Sequence, residues 1–424
     1  MVIERDFLTK SRANRLLSGV FFLSIFLNYH AYWSFWLIAA VQCVYILYIR
    51  QQTKLRVRFN YASPSVMLFI GFITTYIISY MVVAPELDNL SLYISSMRML
   101  FLCIHLLFFI SCIEHFKRWG SPELIYFYIS IAVSVCAFYY IYDYNFNIAS
   151  VINNENSQLP FVFNRRIIGF VCCTSCVYLS YRLLIDNENK FKWVAYSLLY
   201  ISNLGLLLWL GGRGSFLALF ASIIFMFGYL QYSQYSKLKR LYYLIFISMV
   251  TIVISLPLNV LEWNGLNRLL SDFTNADSVT LNQFSSNRLV LWSDALSVFR
   301  ESIWLGSGPD AYRFMGSLGF FQPHNFILQL LVEVGIFGAA IALLLICKLS
   351  ISALIRLCNK NENRFKVLVL NLALFGALVI QGLLDGAFYW SVTVMQVLAC
   401  ITALYINTYD SQTTGVSGQL SPMS

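Results

Sequence analysis

Six ionisable residues stand where apolar segments of this chain begin or end. They are Arg165 and Arg166 in FNRRIIGF, Arg213 in GGRGSFLALF, Arg288 in SSNRLVLW, His324 in QPHNFILQ and Asp385 in LLDGAFYW. Arginine presents a planar fork of donors that matches phosphate oxygens and stays charged when desolvated. Two or more at one apolar–aqueous boundary suit a lipid-linked pyrophosphate. Histidine can take a proton from a hydroxyl or orient it, and an aspartate can hold either partner. Each also has a plainer role: Arg165 and Arg166 as headgroup contacts, Arg288 as a snorkelling anchor, His324 as an interfacial anchor.

The elements that must position these groups are membrane spans. The chain has 424 residues, 59% hydrophobic and 12% charged, with a mean hydropathy of +0.68, a composition that no soluble domain of this size tolerates. Windows of roughly 19 residues predict about 12 transmembrane helices, at 16–29, 31–49, 65–83, 97–113, 124–143, 167–184, 194–211, 214–233, 242–258, 325–347, 367–384 and 387–407. The expected class is therefore an all-α integral membrane protein, divided as helices 1–9 over 1–258, a loop domain over 259–323, helices 10–12 over 324–407 and a disordered inner tail over 408–424. Basic residues precede the first apolar run but no small-residue cleavage site follows it, so no removable signal peptide is expected.

With the N-terminus inside, every lysine falls in an inner connection, whereas the outer segments carry only arginine, Arg98, Arg268, Arg300 and Arg313 among them. The net charge of +9 is then a positive-inside signature, and a nucleic-acid partner has little support. The 10 cysteines sit in spans or inner connections and predict no disulfide framework. CCTSC at 172–176 fits small residues packing helices in lipid better than it fits a metal.

One outer connection, from Leu258 to Pro323, is far longer than the rest, and such loops are commonly functional. Within it, Ser285, Ser286 or Asn287 can cap a helix whose apolar stripe holds Trp292, Ala295 and Phe299 with Arg288 at its head. His324 then opens span ten, and Leu328, Leu331, Gly335 and Gly338 fall on its stripe, so a neighbouring helix can pack closely below it. A helix N-terminus disfavours imidazolium and keeps the ring neutral. Glu333 lies roughly 13 Å deeper on the opposite face. Buried acids in spans are often functional, so Glu333 motivates a polysaccharide or lipid exporter as a reading of another class. No outer Asp-x-Asp, Walker A loop or His/Cys metal spacing appears, which disfavours metal-dependent transfer and ATP-driven pumping; no cofactor is expected.

PHNFILQLLVEVGIFG resembles the motif His, then Asn/Ser/Gln, nine residues, Gly, two residues, Gly/Thr/Tyr of the O-antigen ligases, shared more loosely across the ligase and polymerase superfamily. His324, Asn325, Gly335 and Gly338 fill it. RLVLWSDALSVF followed by LGSGPDAYRF resembles the family's loop segment, GGRGSFLALF its arginine motif and LLDGAFYW its late aspartate. The resemblance implies a glycosyltransferase of the GT-C type with twelve spans in the bacterial inner membrane, termini cytoplasmic and active site periplasmic. It would move a glycan from undecaprenyl pyrophosphate to a sugar of the lipid A core, without metal and with inversion. Polymerases of the superfamily use a second lipid-linked repeat as acceptor instead. By the same resemblance Arg213 and Arg288 would hold the pyrophosphate, His324 would activate or orient the acceptor hydroxyl, and Asp385 would support it. Asn325, Gly335 and Gly338 would shape the helix. Arg165 and Arg166 have no motif and join the pyrophosphate site on position alone.

Overall fold

The computed structural model describes residues 2–30, 33–53, 63–120, 123–146, 159–185, 189–257, 287–358 and 365–409. Ser285 and Ser286, the long connection up to 286 and the tail beyond 409 lie outside the described residues. Among the described residues fourteen α-helices run in order: α1 Val2–Phe26, α2 Trp33–Thr53, α3 Pro64–Val83, α4 Asn89–Trp119, α5 Glu123–Phe146, α6 Arg165–Leu184, α7 Lys190–Leu210, α8 Arg213–Tyr232, α9 Leu238–Ser255, α10 Arg288–Glu301, α11 Ala311–Met315, α12 Phe326–Leu357, α13 Phe365–Asp385 and α14 Ser391–Tyr409. Eleven of them, α2 to α9 and α12 to α14, are long and apolar enough to cross a membrane, and no sheet occurs among the described residues. The protein is an all-helical, multi-pass membrane protein.

The predicted first span is the apolar half of α1, whose N-terminal half is too charged for α1 to count among the eleven. It is packed inside nonetheless: Leu17, Phe21 and Ile25 are buried against α2 and α5. A second difference concerns α4, which begins at Asn89 with Asp88 accepting a hydrogen bond from the Ser91 amide at 2.8 Å. Arg98 therefore lies inside a helix and is buried, rather than in an outer connection.

The centre of the bundle is α6, 94% of whose apolar window is buried among α5, α7, α8 and α13. A helix enclosed by protein on all sides needs small residues for close approach and internal partners for every polar atom. CCTSC supplies both. Cys172 Sγ donates to the Asn203 carbonyl at 2.9 Å, Cys173 Sγ to the Ser215 carbonyl at 3.2 Å, and Thr174 Oγ1 to Gln396 Oε1 at 2.7 Å.

The strongest departure from regular helix is in α12. Gly335 has φ 64° and ψ −169°, which breaks the helix roughly two and a half turns below its site end. The freed backbone groups are met by the segment after α10: Ser307 N donates to Val332 O at 2.7 Å, Gly308 N to Glu333 O at 3.1 Å, and Ile336 N to Ile303 O at 2.9 Å. Ser79 Oγ from α3 adds a second bond to Glu333 O at 2.7 Å. Backbone at membrane depth has no water to bond, so such a break persists only where protein replaces the lost ladder. The fit leaves no room for side chains: a Cβ on Gly335 would meet the Trp304 carbonyl, and one on Gly306 would meet Glu333, Val334 and Gly335 backbone at about 2.5 Å.

The predicted stripe from His324 to Gly338 is accordingly interrupted. Gly335 receives a loop, not a helix, and only Gly338 makes the expected close approach, to Thr75 of α3 at 3.0 Å from an ideal Cβ. Glu333 is engaged structurally: its Oε1 accepts from the Asp310 amide at 3.1 Å and from Gln329 Nε2.

Replacing Gly335 by alanine forces an L-residue to positive φ against a carbonyl, a loss of about 2 kcal/mol or more. Gly376→Ala in α13, where a Cβ meets nothing within 4 Å, stabilises by roughly 0.5–1 kcal/mol. Thermal unfolding of the two purified variants in detergent is expected to show melting temperatures displaced in opposite directions.

Candidate active site

The turn between α7 and α8 is built by glycines with separate tasks. Gly211, at φ 61°, ends α7 in the left-handed region, and α8 then begins at Arg213 with Gly212 as its N-cap. A Cβ on Gly214 would lie 2.8 Å from Asp385 Oδ2 and 3.3 Å from Leu384 Cβ. Glycine there lets the end of α13 lie against the start of α8, the two helices packing along their length.

Asp385, the last residue of α13, forms an ion pair with Arg288 Nη2. Both side chains are largely buried, at 7% and 16% exposure; in that setting a guanidinium–carboxylate contact resists screening. Arg288 opens α10, as the apolar pattern predicts, and the helix buries Leu291, Ala295 and Val298 against Tyr312 and Val332. The capping expectation is not met at Asn287, which is left-handed and makes no side-chain cap bond.

His324 lies one residue before the N-cap of α12. Its φ is 55°, and it is buried at 8% exposure. Arg166 Nη1 donates to His324 Nε2 at 2.7 Å. An arginine cannot accept, so Nε2 carries the lone pair and the proton sits on Nδ1, which faces the Asp385 carbonyl at 3.3 Å. The ring is neutral for a further reason: burial, with Arg166 next and Arg288 adding to it, pushes its pKa down to about 3. Asn325 is the helix cap itself, its Oδ1 accepting from the Ile327 and Leu328 amides at 2.9 and 3.2 Å.

Arg165, Arg166, Arg213, Arg288 and Asp385 line one crevice of about 500 Å³, together with Gly211, Gly212 and Ser215. Four guanidiniums and one carboxylate thus meet at a site assembled from the starts of α6, α8 and α10 and the end of α13. His324 stands at its wall through Arg166 and Asp385. Asn325, Gly335 and Gly338 do not reach the crevice; they hold the helix that presents His324. A second polar group was missed from sequence. Arg98 Nη1 donates to the Tyr389 carbonyl at 3.0 Å and its guanidinium stacks 4.6 Å from the Tyr389 ring, while Tyr389 Oη donates to Asp310 Oδ1 at 2.8 Å. The available signal was an arginine inside an apolar run, in SSMRMLFL.

Residues 197–343 match the O-antigen ligase family, whose members are glycosyltransferases of the ligase and polymerase type. The matched segment contains Arg213, Arg288, His324, Asn325, Gly335 and Gly338; Arg165, Arg166 and Asp385 lie outside it. No curated protein matches the chain.

The depressed His324 pKa has a measurable consequence. The unfolded chain titrates near the ordinary 6.5 and the folded ring near 3, so below pH 6.5 only the unfolded state takes up this proton and stability falls. Lowering the pH from about 7.5 to about 5 is expected to cost the wild type about 2 kcal/mol more than His324→Gln. Melting temperatures of the two proteins across that range check it; parallel shifts would show the ring to be ordinarily basic.

Proposed function

We propose that the protein, through the O-antigen ligase domain of residues 197–343, transfers a glycan from a polyprenyl pyrophosphate to an acceptor sugar at the outer face of the bacterial inner membrane. The observation that carries this reading is the convergence of Arg165, Arg166, Arg213 and Arg288 on one crevice with His324 bonded to Arg166 at its wall. A pyrophosphate seated among the guanidiniums develops charge as it leaves, and preorganised cations stabilise that charge at the moment it forms.

The reaction needs one displacement. The acceptor hydroxyl oxygen bonds to the anomeric carbon from the face opposite the pyrophosphate, the anomeric C–O bond breaks, and its electron pair leaves on the pyrophosphate. A ring whose pKa is about 3 is a weak base, and its one lone pair is taken by Arg166; when Arg166 turns from Nε2 to the pyrophosphate, His324 accepts a hydrogen bond from the hydroxyl there and orients it. The hydroxyl proton passes finally to the departing pyrophosphate or to water. Asp385 holds Arg288 in place and fixes the His324 tautomer through its carbonyl. The Glu333 that motivates an exporter is instead tied to the Asp310 amide and Gln329.

Lipid A core is the favoured acceptor, because His324, Asn325, Gly335 and Gly338 complete the ligase motif. Deleting the protein in its host should then leave long glycan chains on the lipid carrier and none on the core. Single repeats still attached to core would make it a polymerase.

In a reconstituted transfer assay Arg213→Ala is expected to lower the rate about 10²–10³-fold, the loss typical of one preorganised charge-stabilising group. Arg288→Lys should also lose most activity, since a lysine cannot offer the planar fork. Normal transfer by Arg213→Ala and His324→Ala, with abolition by Glu333→Gln, would overturn the transferase reading in favour of export.

A further inference from the structure

A second cavity, of about 1560 Å³, lies on the far side of the wall formed by 320–326 and 385–390. Its lining comes from α3, α4, α12 and α14, with Gln322, Gly386 and Tyr389 at the site end and Leu345 and Ile401 at depth. α3 packs along α12, whereas α4 packs along α2 and α14, so the cavity is a cleft between α3 and α4. Ile77 and Cys103 line it and are themselves exposed, which opens it sideways onto the bilayer. Most of its surface is hydrocarbon or aromatic.

Its lining is not wholly apolar. Four buried polar side chains that line it carry atoms without a hydrogen-bond partner among the described residues: Arg98 Nε, both His105 ring nitrogens, Gln322 Nε2 and Gln329 Oε1. They are 8%, 5%, 2% and 8% exposed. Buried polar atoms left unbonded are costly and rare, and four around one cavity mark a place that a polar ligand completes. The set is mixed: Arg98 and Gln322 offer donors, Gln329 an acceptor, and His105 either. Glu333 also faces the cleft. A phosphate only accepts and leaves the Gln329 oxygen unmet, whereas each sugar hydroxyl both donates and accepts.

We propose that this cleft seats a glycolipid whose sugar is joined to its hydrocarbon chains without an intervening phosphate, the chains lying between α3 and α4 and the sugar meeting Arg98, Gln322 and Gln329. Gln322 is two residues from His324, and Gly386, over which the Gln322 amide packs, follows Asp385. A glycan carried on that lipid emerges beside the arginine crevice but from the opposite side of the wall. The cleft thereby supplies the acceptor's anchor, a step that rests on the transferase reading; the binding site itself does not.

The test uses the full chain in phosphatidylcholine vesicles containing a monoglucosyl diacylglycerol with a diazirine in one acyl chain. After irradiation, peptides of α3 and α4 that line the cleft are expected to carry the adduct. Unlabelled monoglucosyl diacylglycerol should displace it, and equal amounts of phosphatidylglycerol or a polyprenyl phosphate should not. Leu102→Trp, which fills the cleft, should remove the labelling, and Gln322→Leu should reduce it roughly fivefold, the effect of one net hydrogen bond. Equal competition by either phosphate-bearing lipid, absence of cleft adducts, or labelling indifferent to both substitutions would overturn the proposal. Should Leu102→Trp fail to fold, the competition pattern and Gln322→Leu decide. Arg213→Ala should label like the wild type while losing transfer; wild-type protein that labels but transfers nothing would sink the transferase reading and leave the glycolipid site standing.

Discussion

The docking of the 302–308 backbone into the break at Gly335 is the constraint on which the rest of this end of the molecule depends. A spanning helix gives up its ladder only where other donors and acceptors replace it. Here Ser307 N, Gly308 N and the Ile303 carbonyl do so. The consequence reaches in both directions along the chain. Upstream, α10 is held over the bundle with Arg288 at its outer end. Downstream, Asp310 is pinned to Glu333 by its amide and to Tyr389 by its carboxylate, and the chain returns to His324 on a fixed path. Burial pushes the Asp310 carboxyl above its ordinary range, opposed by Arg98 and Arg313.

The electrostatics of the crevice follow from which groups are enclosed together. Guanidiniums cannot shed their protons when desolvated, so gathering Arg165, Arg166, Arg213 and Arg288 forces the adjustment onto their neighbours. Asp385 answers by pairing with Arg288, and His324 by staying neutral. An uncharged imidazole whose basic nitrogen accepts from Arg166 holds that guanidinium at the crevice. Among the described lining residues four guanidiniums stand against one carboxylate, a surplus of positive charge that suits an anionic ligand.

Two cavities with different linings share one thin wall. The crevice is walled by cations, the cleft by hydrocarbon with a mixed polar rim, and Gln322, His324, Asp385 and Gly386 belong to the segments between them. Gly386, left-handed at φ 68°, lets that wall turn sharply enough for Asp385 to face one side and Tyr389 the other.

Hydropathy alone placed eleven of the spans, because a lipid-facing or protein-facing apolar run of this length has no other use. Residue chemistry alone marked Arg213, Arg288, His324 and Asp385, since ionisable groups at the ends of such runs stand out against a sparse background. Those features are local, and local signals survive in a sequence. The tertiary structure decided what depends on partners distant in the chain: that Gly335 breaks its helix to receive a loop, that Glu333 is held by Asp310 and Gln329, that Arg98 is buried against Tyr389, and that Arg166 meets His324. Helical phase could not reveal the break, because a glycine reads the same in a continuous helix as in a broken one. Only the Trp304 carbonyl lying where its Cβ would stand makes that residue's identity obligatory.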